Sequence, residues 1–269
     1  MVTLLAHYTS SVGIRGIVEG GSLWASHVAF LNDASEFRYA FDVSRDIIER
    51  ITILNQVWQP KHPELAELIT SETTHLQRGG LPDVFVTSLS TLSEDLSQWR
   101  GYTHPGDGYT IQFDAEALEH HVASLGWRLV PVVYGPSADM AVAYTAVDAF
   151  TRLDNGTYAT SREAFDAFTR DLAVLAPTLK DHAFERESEW RLISPLGVDP
   201  SQVKWRSGPS FLVPYVEVPL PSPDSGVVLG FGVGPGPNGD LASASLLKYV
   251  HQMGYHVGVG VPGIPYRPW

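Results

Sequence analysis

The sequence predicts an α+β fold, because segments with strand-like alternation occur in runs and segments with helical spacing cluster between them. The chain has 269 residues, of which 44% are apolar and 11% aromatic, so it can bury a sizeable core. No internal repeat or low-complexity linker interrupts it. We therefore expect residues 1–269 to form a single domain.

Composition excludes several classes of protein and site. The formal net charge is −12, so the chain has no general electrostatic attraction to nucleic acid or to an anionic membrane, although a local basic groove is compatible with that charge. Cysteine is absent, which removes disulfides, thiolate zinc sites and cysteine nucleophiles. The first residues lack a signal-peptide pattern, and no apolar run approaches the roughly 20 residues of a membrane span. We therefore expect a cytoplasmic protein without a membrane partner.

The first third of the chain is predicted to alternate short strands with helices. Hydroxyl residues at 9–11 offer helix caps after the first strand, and Gly20-Gly21 ends the helix that follows. Asp33 and Glu36 have capping-box spacing ahead of a longer helix. The expected strands are Thr3–Tyr8, Ser22–Ser26 and Val84–Ser90, and the expected helices cover Ile14–Val18, Phe37–Ile51 and Glu64–His75.

The remainder predicts a hairpin, a helical stretch and further strands. Asp107-Gly108 is a strong turn signal, so Trp99–Tyr102 and Tyr109–Phe113 are expected to pair as a hairpin. Apolar spacing then predicts helices and strands in turn. The expected helices are Ala115–Leu125, Met140–Leu153, Ser161–Leu175 and Leu241–Met253, and the expected strands are Glu187–Ser194, Phe211–Val218, Val227–Val233 and Val257–Val261.

Polar side chains stand at the ends of two predicted strands. His7, followed by Tyr8 and Thr9, ends the first strand, where a histidine can point into a cleft; a capped core histidine is the commoner alternative. Ser88 and Ser90 continue a strand face that begins with valines, so that face becomes rich in hydroxyls at its end. Such hydroxyls can hold a ligand amide or ribose, and a strand that runs out to solvent explains them equally well.

A pair of carboxylates marks another predicted strand. Strand period places Glu187, Glu189 and Arg191 on one face and the apolar residues between them on the other. Two carboxylates at this spacing raise each other's pKa unless a cation such as Arg191 relieves them, and such repulsion is seldom kept on a buried face without use. An exposed edge strand guarded by charge is the alternative.

Two further segments have both a functional and a structural interpretation. Asp95–Tyr102 combines Trp99 and Tyr102 with hydrogen-bonding groups, as a platform for a nucleobase or nicotinamide would, although hairpin packing also accounts for it. The glycine-rich segment Gly232–Gly239 resembles a phosphate loop, but its prolines remove backbone donors, so we expect a turn. No metalloprotease, serine-hydrolase or P-loop motif occurs, and the ten histidines are scattered, so we expect no metal.

Taken together, these segments resemble a widespread bacterial family of unassigned function. Its recurring elements follow one another in order along nearly the whole chain, from a His-Tyr-Thr-Ser start to a terminal Ile-Pro-Tyr-Arg. They stand here at His7–Ser10, Leu31–Glu36, Ser88–Ser90, Leu96–Tyr102, Glu187–Arg191 and Ile264–Arg267.

That family is in turn similar to the ADP-ribosyltransferase superfamily, in which a His or Arg, a Ser- or Tyr-bearing strand and a catalytic Glu follow in this order. His7, Ser88-Leu89-Ser90 and Glu187-Ser188-Glu189 match that order. The resemblance implies an ADP-ribosyltransferase-like fold of two packed, largely antiparallel sheets, with a mostly helical insertion at about residues 115–180 that has no clear counterpart. It also implies NAD as the substrate and no metal.

The resemblance assigns roles to individual residues. Glu189 would hydrogen-bond the 2′-hydroxyl of the nicotinamide ribose and stabilise the oxocarbenium-like transition state, while Glu187 would orient or deprotonate the acceptor. Ser88 and Ser90 would position Glu189. One aromatic ring would stack on nicotinamide, with Trp99 and Tyr102 preferred and Tyr8 and Trp24 as alternatives. The residues expected to bind NAD are His7, Tyr8, Thr9, Ser88, Ser90, Trp99, Tyr102 and Arg191.

The expected activity is ADP-ribosyl transfer, or NAD hydrolysis if water is the acceptor, in the setting of a toxin, effector or phage-defence protein. The acceptor, whether protein, nucleic acid or small molecule, and the oligomeric state are left open. One alternative is a nucleotide-binding sensor module that has lost turnover. Another is a metal-dependent nucleotide hydrolase or nuclease that uses Asp95, Glu187 and Glu189 around a divalent ion.

Overall fold

The structure is a computed structural model that describes residues 3–31, 36–54, 61–76, 83–103, 106–208 and 210–261. The predicted helix cap at Asn32-Asp33 and the terminal Ile264–Arg267 lie outside these ranges. The strands are β1 Leu4–Thr9, β2 Ser22–His27, β3 Phe85–Ser90, β4 Tyr109–Asp114, β5 Arg128–Pro131, β6 Val133–Tyr134, β7 Leu179–Lys180, β8 Glu189–Ile193, β9 Lys204–Ser207, β10 Leu212–Pro219, β11 Val228–Val233 and β12 Gly258–Gly260. The helices are α1 Ser11–Gly20, α2 Glu36–Leu54, α3 Pro63–Leu76, α4 Leu96–Tyr102, α5 Ala115–Ser124, α6 Gly135–Asp154, α7 Ser161–Leu175 and α8 Gly239–Gln252.

Most described strands belong to one mixed sheet of ten strands, in which only β11 and β12 pair in parallel. The main path runs β12-β11-β4-β1-β3-β2-β10-β9, and β8 and β5 branch from β3. The short strands β6 and β7 form a separate parallel pair. The α+β class and the largely antiparallel pairing are confirmed. We expected two packed sheets, but these strands form a single branched sheet. Strand β3 joins its parts, because it pairs with β8 along one edge and with β1 and β2 along the other.

The branch point is a fork between β1 and β2. One edge of β3 pairs with β8 along the whole strand, whereas the other edge pairs with β2 at Val86 and with β1 at Ser90. Side chains fill the gap where β1 and β2 separate. The Thr87 hydroxyl donates to the carbonyl of Trp24 at 3.1 Å, and the His7 ring nitrogen Nδ1 lies 3.0 Å from the carbonyl of Ser88. Both satisfy backbone groups that the interrupted ladder leaves without a strand partner.

Each face of the sheet packs against its own set of helices. One face carries Leu5, Phe85 and Leu192 and is covered by α1, α5 and α8. The other carries Val86 and Ile193 and is covered by α2, α3, α6 and α7. Residues two apart on β3 and β8 therefore share a core, as strand alternation requires. None of the described helices is both long and apolar enough to cross a membrane.

The predicted hairpin around Asp107-Gly108 is wrong. Leu96–Tyr102 forms helix α4. The Asp95 carboxylate caps its N-terminus by accepting hydrogen bonds from the backbone amides of Ser97 and Gln98. The indole of Trp99 packs against Gly108 and Gly234, where an added Cβ would lie 2.8 and 2.9 Å from the ring. Strand β4 pairs with β1 and β11 instead of with the preceding segment.

The insertion at about residues 115–180 is helical only in part. Helices α5, α6 and α7 occur as predicted, but β5 lies between them and pairs with β8 in the main sheet. The two-residue strands β6 and β7 also fall within this region. The insertion is therefore joined to the sheet by backbone hydrogen bonds, and it supplies residues to the site described below.

Substitution of Gly16 in α1 tests how closely this helix packs against Trp24 of β2. A Cβ at this position would lie 2.8 Å from the Trp24 ring, whereas a Cβ at Gly101 of α4 would meet nothing within 4 Å. Alanine normally stabilises a helix by up to about 1 kcal/mol relative to glycine. We expect Gly16→Ala to lower the free energy of unfolding by about 1–3 kcal/mol because of overpacking. Gly101→Ala should not lower it. Urea unfolding checks both, and equal stabilities would contradict the described packing.

Candidate functional site

The candidate site is built on the buried face of β3 and β8. The register pairs Ser90 with Glu189 and Ser88 with Arg191, so these four side chains project from the same face. The segment that precedes β8 and the strand β7 lie over this end of the face. We call the group formed by Lys180, Glu187, Glu189 and Arg191 the carboxylate site.

Glu189 is the centre of the carboxylate site and is almost fully buried, with 4% of its surface exposed. Arg191 grips the carboxylate with two bonds, Nε to Oε1 at 2.8 Å and Nη2 to Oε2 at 3.1 Å. Lys180 donates to Oε2 at 3.0 Å, and Ser88, on the same face, also lowers the pKa of this carboxyl. Arg191 and Lys180 thus supply three hydrogen bonds to a buried carboxylate. Glu189 is therefore firmly held within the site.

Lys180 was not predicted, although it joins the two glutamates. Its Nζ lies 2.7 Å from Glu187 Oε2 and 3.0 Å from Glu189 Oε2, with the side chain 1% exposed. The ammonium also lies 4.6 Å from the ring centroid of Phe184, at cation–π distance. A single lysine in a two-residue strand has no periodic pattern, so no sequence signal identified it.

Glu187 is the accessible carboxylate of the pair. The predicted strand starts two residues too early, because Glu187 ends a 3₁₀ segment, His182–Glu187, and Ser188 has a left-handed backbone with φ 45°. A non-glycine residue in this region is uncommon and is a feature of constrained sites. The Glu187 side chain is 24% exposed, and its Oε2 lies 3.4 Å from the hydroxyl of Tyr102.

Tyr134 is a second residue that the sequence did not indicate. Its hydroxyl accepts a hydrogen bond of 2.9 Å from the backbone amide of Glu189. Burial raises the pKa of this phenol, so it stays protonated and retains its own hydrogen for donation. Tyr134 is half-buried and pairs with Lys180 through the β6–β7 register. It therefore lies at the edge of the carboxylate site.

His7 is joined to the carboxylate site through Ser88. Its ring contacts the carbonyl of Ser88 at 3.0 Å, and the side chain of the same serine lies on the sheet face that carries Glu189. The pairing of Ala6 with Ser90 puts the His7 side chain on the opposite face from Ser88, at the fork. Burial lowers the pKa of His7 against the opposing effect of that hydrogen bond, so the ring is neutral at pH 7.

Several predicted ligand residues have structural contacts. The Tyr8 hydroxyl donates to the carbonyl of Leu92 at 2.6 Å, and its ring meets Trp99 edge to face at 4.7 Å. Trp99 is 4% exposed, and its Nε1 has no acceptor within the described part of the chain. Ser90 donates to the carbonyl of Glu187 at 2.7 Å. These residues support the backbone beneath the site and do not present a free surface.

Two predicted ligand residues remain at accessible positions. Tyr102 is 37% exposed and is the aromatic residue of the α4 segment that reaches Glu187. Thr9 is half-buried at the end of β1, next to Gly13 at the start of α1. Tyr102 rather than Trp99 is therefore the ring of that segment that is available to a ligand.

The comparisons with known proteins give one match. Residues 98–192 match the model of a family described as a protein of unknown function, DUF2971. This region contains the whole carboxylate site together with Tyr102 and Tyr134, whereas His7 and Ser88 precede it. The match supports the expected link to an uncharacterised family. Neither the curated proteins nor the solved structures include a significant match.

The ionisation of Glu189 predicts how stability depends on pH. Burial raises the pKa of Glu189, but Arg191, Lys180 and Ser88 outweigh burial and lower it from 4.5 to about 2. A depressed folded-state pKa stabilises the fold above the unfolded value, and that stability is lost as pH falls from about 4.5 towards 2. The shift corresponds to on the order of 3 kcal/mol.

Glu189→Gln should remove this dependence on pH. At pH 7 the variant leaves two buried cations with a neutral partner, so its free energy of unfolding should fall by about 3–5 kcal/mol. The difference in free energy of unfolding between Glu189→Gln and wild type should shrink as pH falls from about 4.5. Glu217→Gln, which removes an exposed partner of Lys204, is the control and should keep the wild-type profile. Urea unfolding between pH 7 and 3 checks this, and an unchanged gap at low pH would contradict it.

Proposed function

We propose that this protein cleaves the bond between nicotinamide and ribose in NAD and transfers the ADP-ribose to an acceptor or to water. The observation that carries the proposal is that the His7 imidazole contacts the carbonyl of Ser88, while the Ser88 side chain lies on the sheet face that carries the Glu189 carboxylate. The three elements that the ADP-ribosyltransferase resemblance names thus lie on β1, β3 and β8, which are adjacent strands. The fork beside them interrupts the sheet at the same point.

Glu187 is more exposed than Glu189, and this difference supports catalytic roles for the two residues that differ from those implied by the resemblance. Because Glu189 is buried and already bound by Arg191 and Lys180, we assign it the role of fixing those two cations. Glu187 then becomes the carboxylate that meets the 2′-hydroxyl of the nicotinamide ribose. Lys180 holds Glu187 in place from behind at 2.7 Å, and Tyr102 supplies the ring that stacks on nicotinamide.

The reaction follows from these roles. The bond from ribose C1′ to the pyridinium nitrogen breaks with its electron pair, so nicotinamide leaves as a neutral molecule and the ribose becomes an oxocarbenium cation. The Glu187 carboxylate strengthens its hydrogen bond to the 2′-hydroxyl as that positive charge develops, which stabilises the transition state selectively. The acceptor then adds to C1′ and loses its proton to Glu187 or to solvent.

One observation favours a second candidate function, a nucleotide-binding sensor without turnover. Glu189, the residue that the resemblance makes catalytic, is 4% exposed and is bound by Arg191 and Lys180. In a sensor, the same network would serve only to shape a binding surface. Nicotinamide release separates the two candidates, because a sensor binds NAD without consuming it. Repeating the assay with a chelator tests the metal-dependent hydrolase alternative.

Nicotinamide release from NAD should depend on Glu187. We expect Glu187→Gln to reduce the rate by about 10²–10³, because it removes a hydrogen bond that strengthens in the transition state. Glu185→Gln is the matched control, since Glu185 lies in the same 3₁₀ segment and pairs only with exposed His182 among the described residues. The control should keep the wild-type rate, and thermal unfolding should show that both variants fold.

Two results would contradict the proposal. Wild-type protein that binds NAD but releases no nicotinamide, alone or in whole lysate with labelled NAD, would favour the sensor. Equal release by wild type and Glu187→Gln would remove Glu187 from the mechanism. In the latter case, the rate of Glu189→Gln, compared at matched folded fraction, shows whether the original assignment to Glu189 is the correct one.

A further inference from the structure

Arg206 lies on the edge strand β9 and has no carboxylate partner within the described part of the chain. It is half-buried, and its Nη2 donates to the Ser26 hydroxyl at 3.0 Å. Its Nε is shielded from solvent and has no hydrogen-bond acceptor among the described residues. A guanidinium has five N–H donors, and the described residues accept a hydrogen bond from Nη2 alone. Burial lowers the pKa of Arg206, which reflects a cation that the protein leaves uncompensated.

Strand alternation places aromatic residues on the same face of the sheet as Arg206. Arg206 pairs with Val213 of β10, so the next residues on that face are Phe211 on one side and Tyr215 on the other. Tyr215 packs against Trp24 with ring centroids 5.1 Å apart, and Phe211 packs against Phe30 at 5.8 Å. We call Arg206, Ser26 and these four rings the Arg206 patch. Phe211 is 51% exposed, so one ring face is open to a planar ligand.

The charges around the Arg206 patch are already paired with each other. Glu217, the carboxylate on this face of β10, is bound by Lys204 at 2.7 Å. The chain has 30 acidic and 18 basic residues, so an acidic partner for Arg206 would be easy to provide. An arginine without a carboxylate partner among the described residues of such a chain indicates that it pairs with an anion from outside the protein. Planar rings beside the cation indicate that the anion carries an aromatic group.

We propose that the Arg206 patch binds a nucleoside phosphate, with the phosphate on Arg206 and the base against Phe211. Phosphate accepts two parallel bonds from a guanidinium, and such charge-assisted bonds are stronger than neutral ones. Base stacking on an aromatic side chain adds about 1–3 kcal/mol. The patch lies on β2, β9, β10 and the residues next to them, whereas the carboxylate site lies on β7, β8 and the 3₁₀ segment between them. This proposal therefore does not depend on NAD cleavage.

Calorimetric titration with three probes tests the proposal. ADP carries both groups, adenosine only the base, and inorganic pyrophosphate only the phosphates. The full chain should bind ADP more tightly than either partial probe. Arg206→Met should weaken ADP and pyrophosphate by at least about tenfold. Phe211→Ala should weaken ADP by a similar factor and leave pyrophosphate unchanged. Arg170→Met, at an exposed helical arginine, is the control and should bind as wild type.

The outcomes separate this proposal from a purely structural role for Arg206. Equal ADP affinity in wild type and Arg206→Met would overturn it, and so would adenosine binding as tightly as ADP. If the methionine variant is unstable, Arg206→Lys is measured instead, because lysine keeps the charge and loses the paired bonds. Unchanged ADP affinity in the lysine variant would overturn the bidentate contact. The titration measures binding of ADP, which has no nicotinamide bond to cleave, so failure of NAD cleavage leaves this result unaffected.

Discussion

The interaction on which the rest of the molecule depends is the buried group of Lys180, Glu189 and Arg191. Removing these charges from water costs several kcal/mol per ion, and only close geometry with further hydrogen bonds offsets that cost. The geometry here is close, since Glu189 accepts three hydrogen bonds from Arg191 and Lys180, and Arg191 also donates to the carbonyl of Pro177 at 3.0 Å. The group thereby fastens the segment after α7 to strand β8. A fold that only needed stability would use apolar residues at these positions.

The carboxylate site and the fork are two consequences of the same strand, β3. Its edge towards β8 carries an unbroken ladder, which sets Ser88 and Ser90 beside Arg191 and Glu189. Its other edge is divided between β1 and β2, which leaves backbone carbonyls for His7 and Thr87 to satisfy. Ser88 takes part in both, because its side chain lies on the face of Glu189 and Arg191 and its carbonyl contacts His7. This residue therefore connects the imidazole on one face of the sheet with the carboxylates on the other.

Much of the fold is readable from local sequence signals. The Ser10 cap and the left-handed Gly21 bound α1 as predicted, and strand alternation correctly puts Glu189 and Arg191 on one face. The prediction for the α4 segment is wrong because it rested on the turn signal at Asp107-Gly108 and did not consider Asp95 as a helix cap. Lys180 was missed because it reaches Glu189 through tertiary contacts that no sequence period encodes. The exposure of Glu187 depends on the left-handed Ser188, a conformation that is rare outside glycine and asparagine.

The most direct test of the central claim is a crystal structure of Glu187→Gln with bound NAD, since this variant should bind the substrate and turn it over slowly. The account predicts that the nicotinamide ribose lies within hydrogen-bond distance of residue 187, that the nicotinamide ring stacks on Tyr102, and that Glu189 keeps its bonds to Arg191 and Lys180. NAD bound away from this end of β8, or a Glu189 released from Arg191 to contact the ribose, would contradict the account.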